Sequence, residues 1–239
     1  MPTTEKIDLH CHILPYVDDG AMTKEDSDAL LDMFMDQGVS TICCTPHLRK
    51  DMFETSDEDV KKQLTRLERR AKAKDLDVKF FLSREYHADA LFLEHLKKRD
   101  LLCLGEDKTI LIEFSHTHTK ENIRNCVKRI KKFGYSPLIA HLERYPALYN
   151  DLEYVEKLIG LGAKVQVNAG SILGREGRRQ ALWARKLLKA DLVHVVASDA
   201  HDTQYRPPEL EKCSQYLEKK FGAEYANRLL YENPKKILT

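Results

Sequence analysis

No stretch of the chain approaches the roughly 18 consecutive apolar residues of a membrane span, so no stable membrane insertion is expected. The start of the sequence lacks the charged-then-apolar pattern of a secretory signal. A charge surplus is missing as well: 39 Lys and Arg stand against 38 Asp and Glu, a formal net charge of +1. Proteins that grip a nucleic-acid backbone draw on clustered, uncompensated Lys and Arg, so nucleic acid is not expected as the main partner. The six cysteines include no Cys-x-x-Cys pair and lie mostly inside apolar segments. They read as reduced, semi-buried thiols of a cytoplasmic protein. Internal repeats, low-complexity tracts and long linkers are absent, so the 239 residues are expected to form one domain, residues 1–239.

What is present is an alternation of strand and helix. Short runs rich in β-branched residues predict seven strands at Ile7–His12, Thr41–Thr45, Val78–Ser83, Thr109–Phe114, Pro137–His141, Lys164–Asn168 and Leu192–Ser198. Amphipathic helices fall between them. The first is expected to begin at Thr23 as N-cap and end at Gly38, the second to begin at Ser56, and others to span Arg175–Lys189 and Pro208–Phe221. Asn233-Pro234 is expected to break the last helical stretch. This order argues for parallel βα units curled into a barrel one unit short of the usual eight.

The ends of the predicted strands carry the chemistry. His10 and His12 are two apart on a strand and therefore share a face. Two imidazoles there converge on one divalent cation and repel each other when protonated. By itself His-x-His is weak, since an edge strand with a solvated histidine pair has the same spelling. The other strand ends repeat the theme with Asp18-Asp19, His47, Glu85, Glu113, His141 followed by Glu143-Arg144, and Asp199-Ala200-His201. Parallel barrels build their sites at this one mouth. So many imidazoles and carboxylates exceed the needs of a single cation and suit two or three. Left buried without a cation, each would cost several kcal/mol.

With His10-Cys11-His12, Thr45-Pro46-His47, Glu85, Glu113, His141-Leu142-Glu143-Arg144 and Ser198-Asp199-Ala200-His201 assembled, the chain resembles the polymerase and histidinol phosphatase (PHP) family. It is most similar to that family's bacterial manganese-dependent protein-tyrosine phosphatases of capsule and exopolysaccharide gene clusters. The segments 14–20 (LPYVDDG), 49–55 (RKDMFET), 141–145 (HLERY) and 195–201 (VVASDAH) carry this likeness across nearly the whole chain. The resemblance implies a distorted (β/α)7 barrel with the metal site at the carboxyl ends of the strands. It implies one cation held by His10, His12, Glu85 and Asp199, and a second bridged by Glu85 and held by Glu113 and His141. A third falls to His47, His201 and an Asp of the 18–19 pair, with Asp19 favoured. Manganese suits the mixed oxygen and imidazole donors, and iron or zinc would also be accepted. The implied substrate is phosphotyrosine on a bacterial tyrosine kinase that regulates capsular or exopolysaccharide synthesis.

Cations about 3.5–4 Å apart would lower the pKa of bound water, and the expected chemistry is direct attack of a metal-bound hydroxide on the phosphoester. Arg144 and Arg206 follow ligand motifs and are expected to grip the non-bridging oxygens. The general acid stays open among a metal-bound water, Glu143 and the non-liganding Asp. Cys43 to Arg49 also spells Cys-x5-Arg, the pattern of cysteine-dependent tyrosine phosphatases. There is no glycine to wrap that loop around phosphate, and Pro46 lacks an N–H, so it is read as a decoy. His116 and His118 are expected in a rim loop, His87 behind the mouth, and His194 in the core. Met52-Phe53 is either local packing or a seat for an aromatic ring. The competing functions are a histidinol-phosphate or other small-molecule phosphomonoesterase, a nuclease-like phosphodiesterase, and a metal-stabilised binding module without turnover.

Overall fold

The computed structural model describes residues 5–239, so the first four residues of the expected 1–239 span lie outside it. In chain order the elements begin β1 (Lys6–Cys11), α1 (Lys24–Asp36), β2 (Val39–Cys44), β3 (His47–Leu48), α2 (Asp57–Ala73), β4 (Lys79–Leu82) and β5 (Glu85–His87). They continue with α3 (Ala90–Lys98), β6 (Thr109–Glu113), α4 (Lys120–Lys132), β7 (Ser136–Ile139), α5 (Leu152–Gly160) and β8 (Lys164–Asn168). The chain then passes through α6 (Ala169–Leu173), α7 (Arg178–Lys189), β9 (Val195–Ala197), α8 (Leu210–Phe221), α9 (Ala223–Asn227) and α10 (Asn233–Leu238). All strand pairs are parallel, in the orders β1-β2-β4 and β3-β5-β6-β7-β8-β9. The result is an α/β fold around a curled parallel sheet.

Two predicted strands end within a residue of where they were expected, and each is followed by a short second strand that was not expected. Pro46 has no N–H to give to a ladder, so the second strand stops at Cys44 and restarts at His47. The third stops at Leu82 and restarts at Glu85. In each case the short second piece joins the larger sheet and carries a site residue, while β4 remains a partly exposed edge. The helix caps follow the predicted chemistry: Thr23 forms a capping box with Asp26, and Ser56 accepts from Asp59 N–H. The helix expected from Arg175 starts at Arg178, after Gly177. Asn233-Pro234 does not break the last helix. A π-helical turn at Arg228–Glu232 precedes it, and Pro234 sits in the first turn of α10, where its missing N–H is tolerated.

Two apolar clusters explain the curl. Ile42, Ile112 and Val165 face helix residues such as Leu30, Val127 and Leu158. The opposite strand faces meet each other through Ile7, Leu9, Cys43, Leu111, Leu138, Val195 and Ala197. The C-terminal helical segment closes the amino ends of the strands: Ile237 joins this second cluster, and Asn233 Nδ2 donates to His194 O at 2.8 Å.

β1 changes phase on the way to the site. Asp8 pairs with Ile42 but Cys11 with Cys44, so three steps on β1 oppose two on β2. This irregularity lets Leu9 fill the floor and still turns His10 and His12 together into the mouth, the usual work of a bulge beside a site. Below it, Asp8 stitches β1 to β9 by accepting from Ser198 N–H at 2.9 Å and Ser198 O–H at 2.5 Å. Asp8 is fully enclosed, and burial pushes its carboxyl up to about 6 despite those bonds.

Candidate metal centre

The strand ends bring His10, His12, Asp19, His47, Glu85, Glu113, His141, Asp199 and His201 to one mouth. Three groups of donor atoms there lie within 4.8 Å of one another: His12, Asp19, His47 and His201; His10, His12, Glu85 and Asp199; and His47, Glu85 and Glu113. The third group differs from the resemblance in containing His47 where His141 was implied. His141 is nonetheless at hand, its Nε2 being 2.7 Å from the other oxygen of Glu85. Asp18 and Asp19 part company. Asp19 Oδ1 faces His47 Nε2 at 3.4 Å and His201 Nε2 at 3.6 Å. Asp18 turns beneath them, accepting from His12 Nδ1 at 2.7 Å, His47 N–H at 2.9 Å and Gly20 N–H at 3.0 Å. Gly20 is required by this fold-over, since a Cβ there would stand 2.1 Å from the His12 carbonyl oxygen.

Four imidazoles are oriented alike. His10 Nδ1 meets Gln166 Oε1 at 3.1 Å, and His12 Nδ1 meets Asp18. His141 Nδ1 meets Tyr145 Oη at 3.2 Å, and His201 Nδ1 meets the Asp199 carbonyl at 2.9 Å. Where the partner is a pure acceptor, as for His10, His12 and His201, holding Nδ1–H leaves the Nε2 lone pair for the mouth, the arrangement metal-binding histidines use. His10 Nε2 and His12 Nε2 then lie only 3.2 Å apart. Two lone pairs at that distance are stable only with a cation or a proton between them. His47, Glu85, Asp199 and His201 each keep a buried donor-type atom without a hydrogen-bond partner: Nδ1, Oε2, Oδ1 and Nε2 respectively. Buried polar atoms are almost always paired. A divalent cation is what this set of nitrogens and carboxylate oxygens fits.

Without a cation the charges answer one another. Burial would raise Glu85, but His10, His47 and His141 hold it well below the usual carboxylate range. Burial also works against the low value of Asp199, which Arg144, His10 and Arg206 impose. Burial followed by the charge of His12 lowers His201 to about 4, leaving a neutral imidazole at pH 7. His141 and Asp199 sit at φ 31° and 53°. Left-handed backbone is uncommon outside glycine, and at two strand ends it turns side chains inward.

Both arginines reach the mouth and share Asp199 Oδ2. Arg144 Nη1 stands 2.8 Å from it and Arg206 Nη2 2.7 Å. Glu143 accepts Asn168 N–H at 3.0 Å; burial, then Glu176, pushes its carboxyl up to about 7. His87 bonds Glu113 at 3.0 Å and Ser115 at 2.9 Å, behind the mouth as expected. His118 accepts Ser115 N–H and His116 is exposed, so neither joins the cluster. His194 is half-buried at the amino end of β9, its Nδ1 accepting Val165 N–H at 3.2 Å. Phe53 stacks on His47 with ring centroids 5.2 Å apart and planes 13° apart, while Met52 is exposed.

Several working residues carry no sequence signature. On β8, Gln166 Oε1 supports His10 and also accepts His141 N–H at 2.7 Å, and Gln166 Nε2 donates to Asn168 Oδ1 at 2.7 Å. Asn168 Nδ2 donates in turn to Asp199 Oδ2 at 2.9 Å. Their two-residue spacing on a strand without a predicted ligand was the available clue. Glu176 and Arg84 had none.

The fold and the donor set together define a metal-dependent hydrolase. The family described as "Capsular polysaccharide synthesis, CpsB/CapC" matches residues 6–239, and the chain belongs to it. A tyrosine-protein phosphatase, CpsB of Streptococcus pneumoniae, is 38% identical, with 97% of this chain and 98% of that protein covered. YwqE of Bacillus subtilis, also a tyrosine-protein phosphatase, is 33% identical, with 97% and 91% covered. A crystal structure from work on YwqE and CpsB, described as metal-dependent tyrosine phosphatases, superposes with a TM-score of 0.89 at 33% identity. It covers 97% of this chain and 94% of its own.

Proposed function

We propose that this protein is a manganese-dependent phosphotyrosine-protein phosphatase acting in the cytoplasm on a bacterial tyrosine kinase that regulates capsular or exopolysaccharide synthesis. The observation that carries the reading is the set of buried atoms on His47, Glu85, Asp199 and His201 that crowd together without a hydrogen bond, at a mouth where two arginines reach Asp199. The family and the names of its phosphatase relatives support the substrate class. Six free cysteines agree with a reducing compartment, and no helix among the described residues is long and apolar enough to cross a membrane. The curled sheet reads as a distorted (β/α)7 barrel if β2 with β3 and β4 with β5 count as broken strands. The bond from Asp199 N–H to His10 O, 2.8 Å, and the Cys11–Ala200 bridge support closure between first and last strands.

His10, His12, Glu85 and Asp199 would hold one cation, Glu85, Glu113 and His141 a second, and Asp19, His47 and His201 a third. Divalent cations bound there supply Lewis acidity toward the phosphoryl oxygens and lower the pKa of water. Gln166, Asp18 and Tyr145 fix the rings of His10, His12 and His141. Among the described residues the hydrogen bonds and ion pairs of these guanidinium groups run through Arg144 Nε and Nη1 and Arg206 Nη2, so both have further N–H groups to offer a phosphate. A tyrosyl oxygen, with a pKa of about 10, leaves with less help from an acid than a seryl alkoxide does.

Manganese-reconstituted protein is expected to hydrolyse a phosphotyrosyl peptide well ahead of a phosphoseryl peptide and of histidinol phosphate. Equal or better turnover of histidinol phosphate overturns the substrate assignment. Phe53 lines the mouth on the His47 side, where a substrate ring would stack. Phe53→Ala should lower kcat/KM for phosphotyrosyl peptides roughly threefold to tenfold, the worth of one aromatic contact of about 0.5–1.5 kcal/mol. Inhibition by inorganic phosphate should stay as it was; an equal loss there would make the ring a support for His47 only.

A further inference from the structure

The loop between α6 and α7 carries two oppositely charged side chains that tie the two arginines of the mouth to each other. Arg144 Nε donates to Glu176 Oε2 at 2.6 Å, and the other oxygen of Glu176 accepts from Asn168 Nδ2 at 3.0 Å. One residue earlier, Arg175 Nε is paired with Glu209 Oε2 at 2.5 Å. Glu209 is buried and stands three residues beyond Arg206, separated from it only by Pro207 and Pro208. The proline pair transmits position stiffly, because each ring fixes its own φ. Gly174 and Gly177 bracket the charged pair at φ 94° and 108°. That left-handed geometry favours glycine, and it lets adjacent side chains leave the loop toward two different partners.

We propose that Glu176 is a positioning residue for phosphate binding. It holds the Arg144 guanidinium by Nε so that Nη2 faces the phosphoryl group, while the Arg175–Glu209 pair sets the place of the Arg206 segment from the same loop. This rests on the reading of Arg144 and Arg206 as the phosphate-gripping pair. The fork needs both oxygens of Glu176 as acceptors, one for Arg144 and one for Asn168. A glutamine has a single acceptor oxygen, so Glu176→Gln must release one of the two. Asn168 also donates to Asp199, which both arginines touch, so a release on either side lets the guanidinium swing.

A double-mutant cycle on the manganese-loaded protein tests this. Glu176→Gln is expected to lower kcat/KM for a phosphotyrosyl peptide by about 10- to 100-fold, the scale of a misplacement near 1 Å. The rise in KM should dominate, calorimetric binding of inorganic phosphate should weaken in step, and the manganese content should stay at the wild-type value while Tm falls by no more than a few degrees. Glu176→Asp should recover part of the loss. In an Arg144→Ala background the same Glu176→Gln change should alter kcat/KM by less than about threefold, because the residue it positions is gone. An undiminished, multiplicative loss in that background overturns the positioning role while leaving Arg144 in its place. Arg144→Ala with wild-type kcat/KM and phosphate binding overturns the phosphate role of Arg144 itself. Arg175→Ala supplies a second check, with a smaller rise in KM expected; full wild-type behaviour there removes the link to Arg206.

Discussion

Stripping divalent metal from the protein is expected to abolish phosphotyrosine hydrolysis, whereas Cys43→Ser leaves it nearly intact. The contrast separates two chemistries that would give the same activity. Cys43 is fully buried in β2, packed with Leu9 and Leu111 rather than open to the mouth. Burial holds its thiol well above its ordinary value, so almost no thiolate exists at neutral pH. Arg49, the other end of the Cys-x5-Arg spelling, starts a tight hairpin, its backbone N–H donating to Phe53 O at 2.9 Å, and not the helix N-terminus that such a phosphate loop needs. Lewis-acid stabilisation of a phosphoryl transition state is worth several kcal/mol, and about 1.4 kcal/mol is a factor of ten. Dialysis against chelator should therefore reduce turnover of p-nitrophenyl phosphate by at least about a thousandfold, with recovery on adding manganese. Cys43→Ser should stay within about threefold of wild type, and iodoacetamide should leave Cys43 unlabelled in native protein by mass spectrometry. A chelated preparation at full speed, paired with an inactive serine variant, would end the metal reading.

The elements that could be foreseen are those whose cause is local. Thr23 and Ser56 cap helices because a hydroxyl before an acidic turn does so wherever it stands. The buried run of β6 follows from β-branched and apolar residues without a charged interruption before Glu113. Convergence of the strand-end imidazoles and acids was legible because parallel strands all end on one side. What stayed hidden depends on neighbours across the sheet. The phase change of β1 exists only relative to β2. Gln166 and Asn168 are uncharged amides with no ligand signature, and become supports only when β8 lies beside His10, His141 and Asp199. The continuity of the last helix through Pro234 depends on a π-turn that propensity does not mark. Glu176 is far in sequence from Arg144, and nothing local pairs them.

Arg84→Met is expected to lower Tm by roughly 6–12 °C and weaken manganese binding by about 10- to 100-fold, although Arg84 touches no donor atom of the centre. Its side chain is wholly enclosed in the gap between β4 and β5. Arg84 Nε and Nη2 reach Asp57 Oδ1 at 2.9 and 2.8 Å, Nη2 donates to Thr55 O at 2.5 Å, and Nη1 to His47 O at 3.4 Å. One guanidinium thus pins both ends of the segment that carries His47 and Phe53 to the strand that carries Glu85. Methionine matches the apolar volume and leaves two carbonyls without that donor. Breaking a buried ion pair is worth about 3–5 kcal/mol. The low end applies here, because Asp57 keeps 36% of its side chain in solvent at the N-terminus of α2. About 3 kcal/mol in a chain of this size gives the stated shift in Tm, and supports behind metal ligands govern affinity on the stated scale. Arg84→Lys should fall between the two, since one ammonium cannot span the same fan of acceptors. Calorimetric unfolding and a manganese titration read both effects. An Arg84→Met protein with unchanged Tm and unchanged affinity would mean the His47 segment holds its place without the guanidinium.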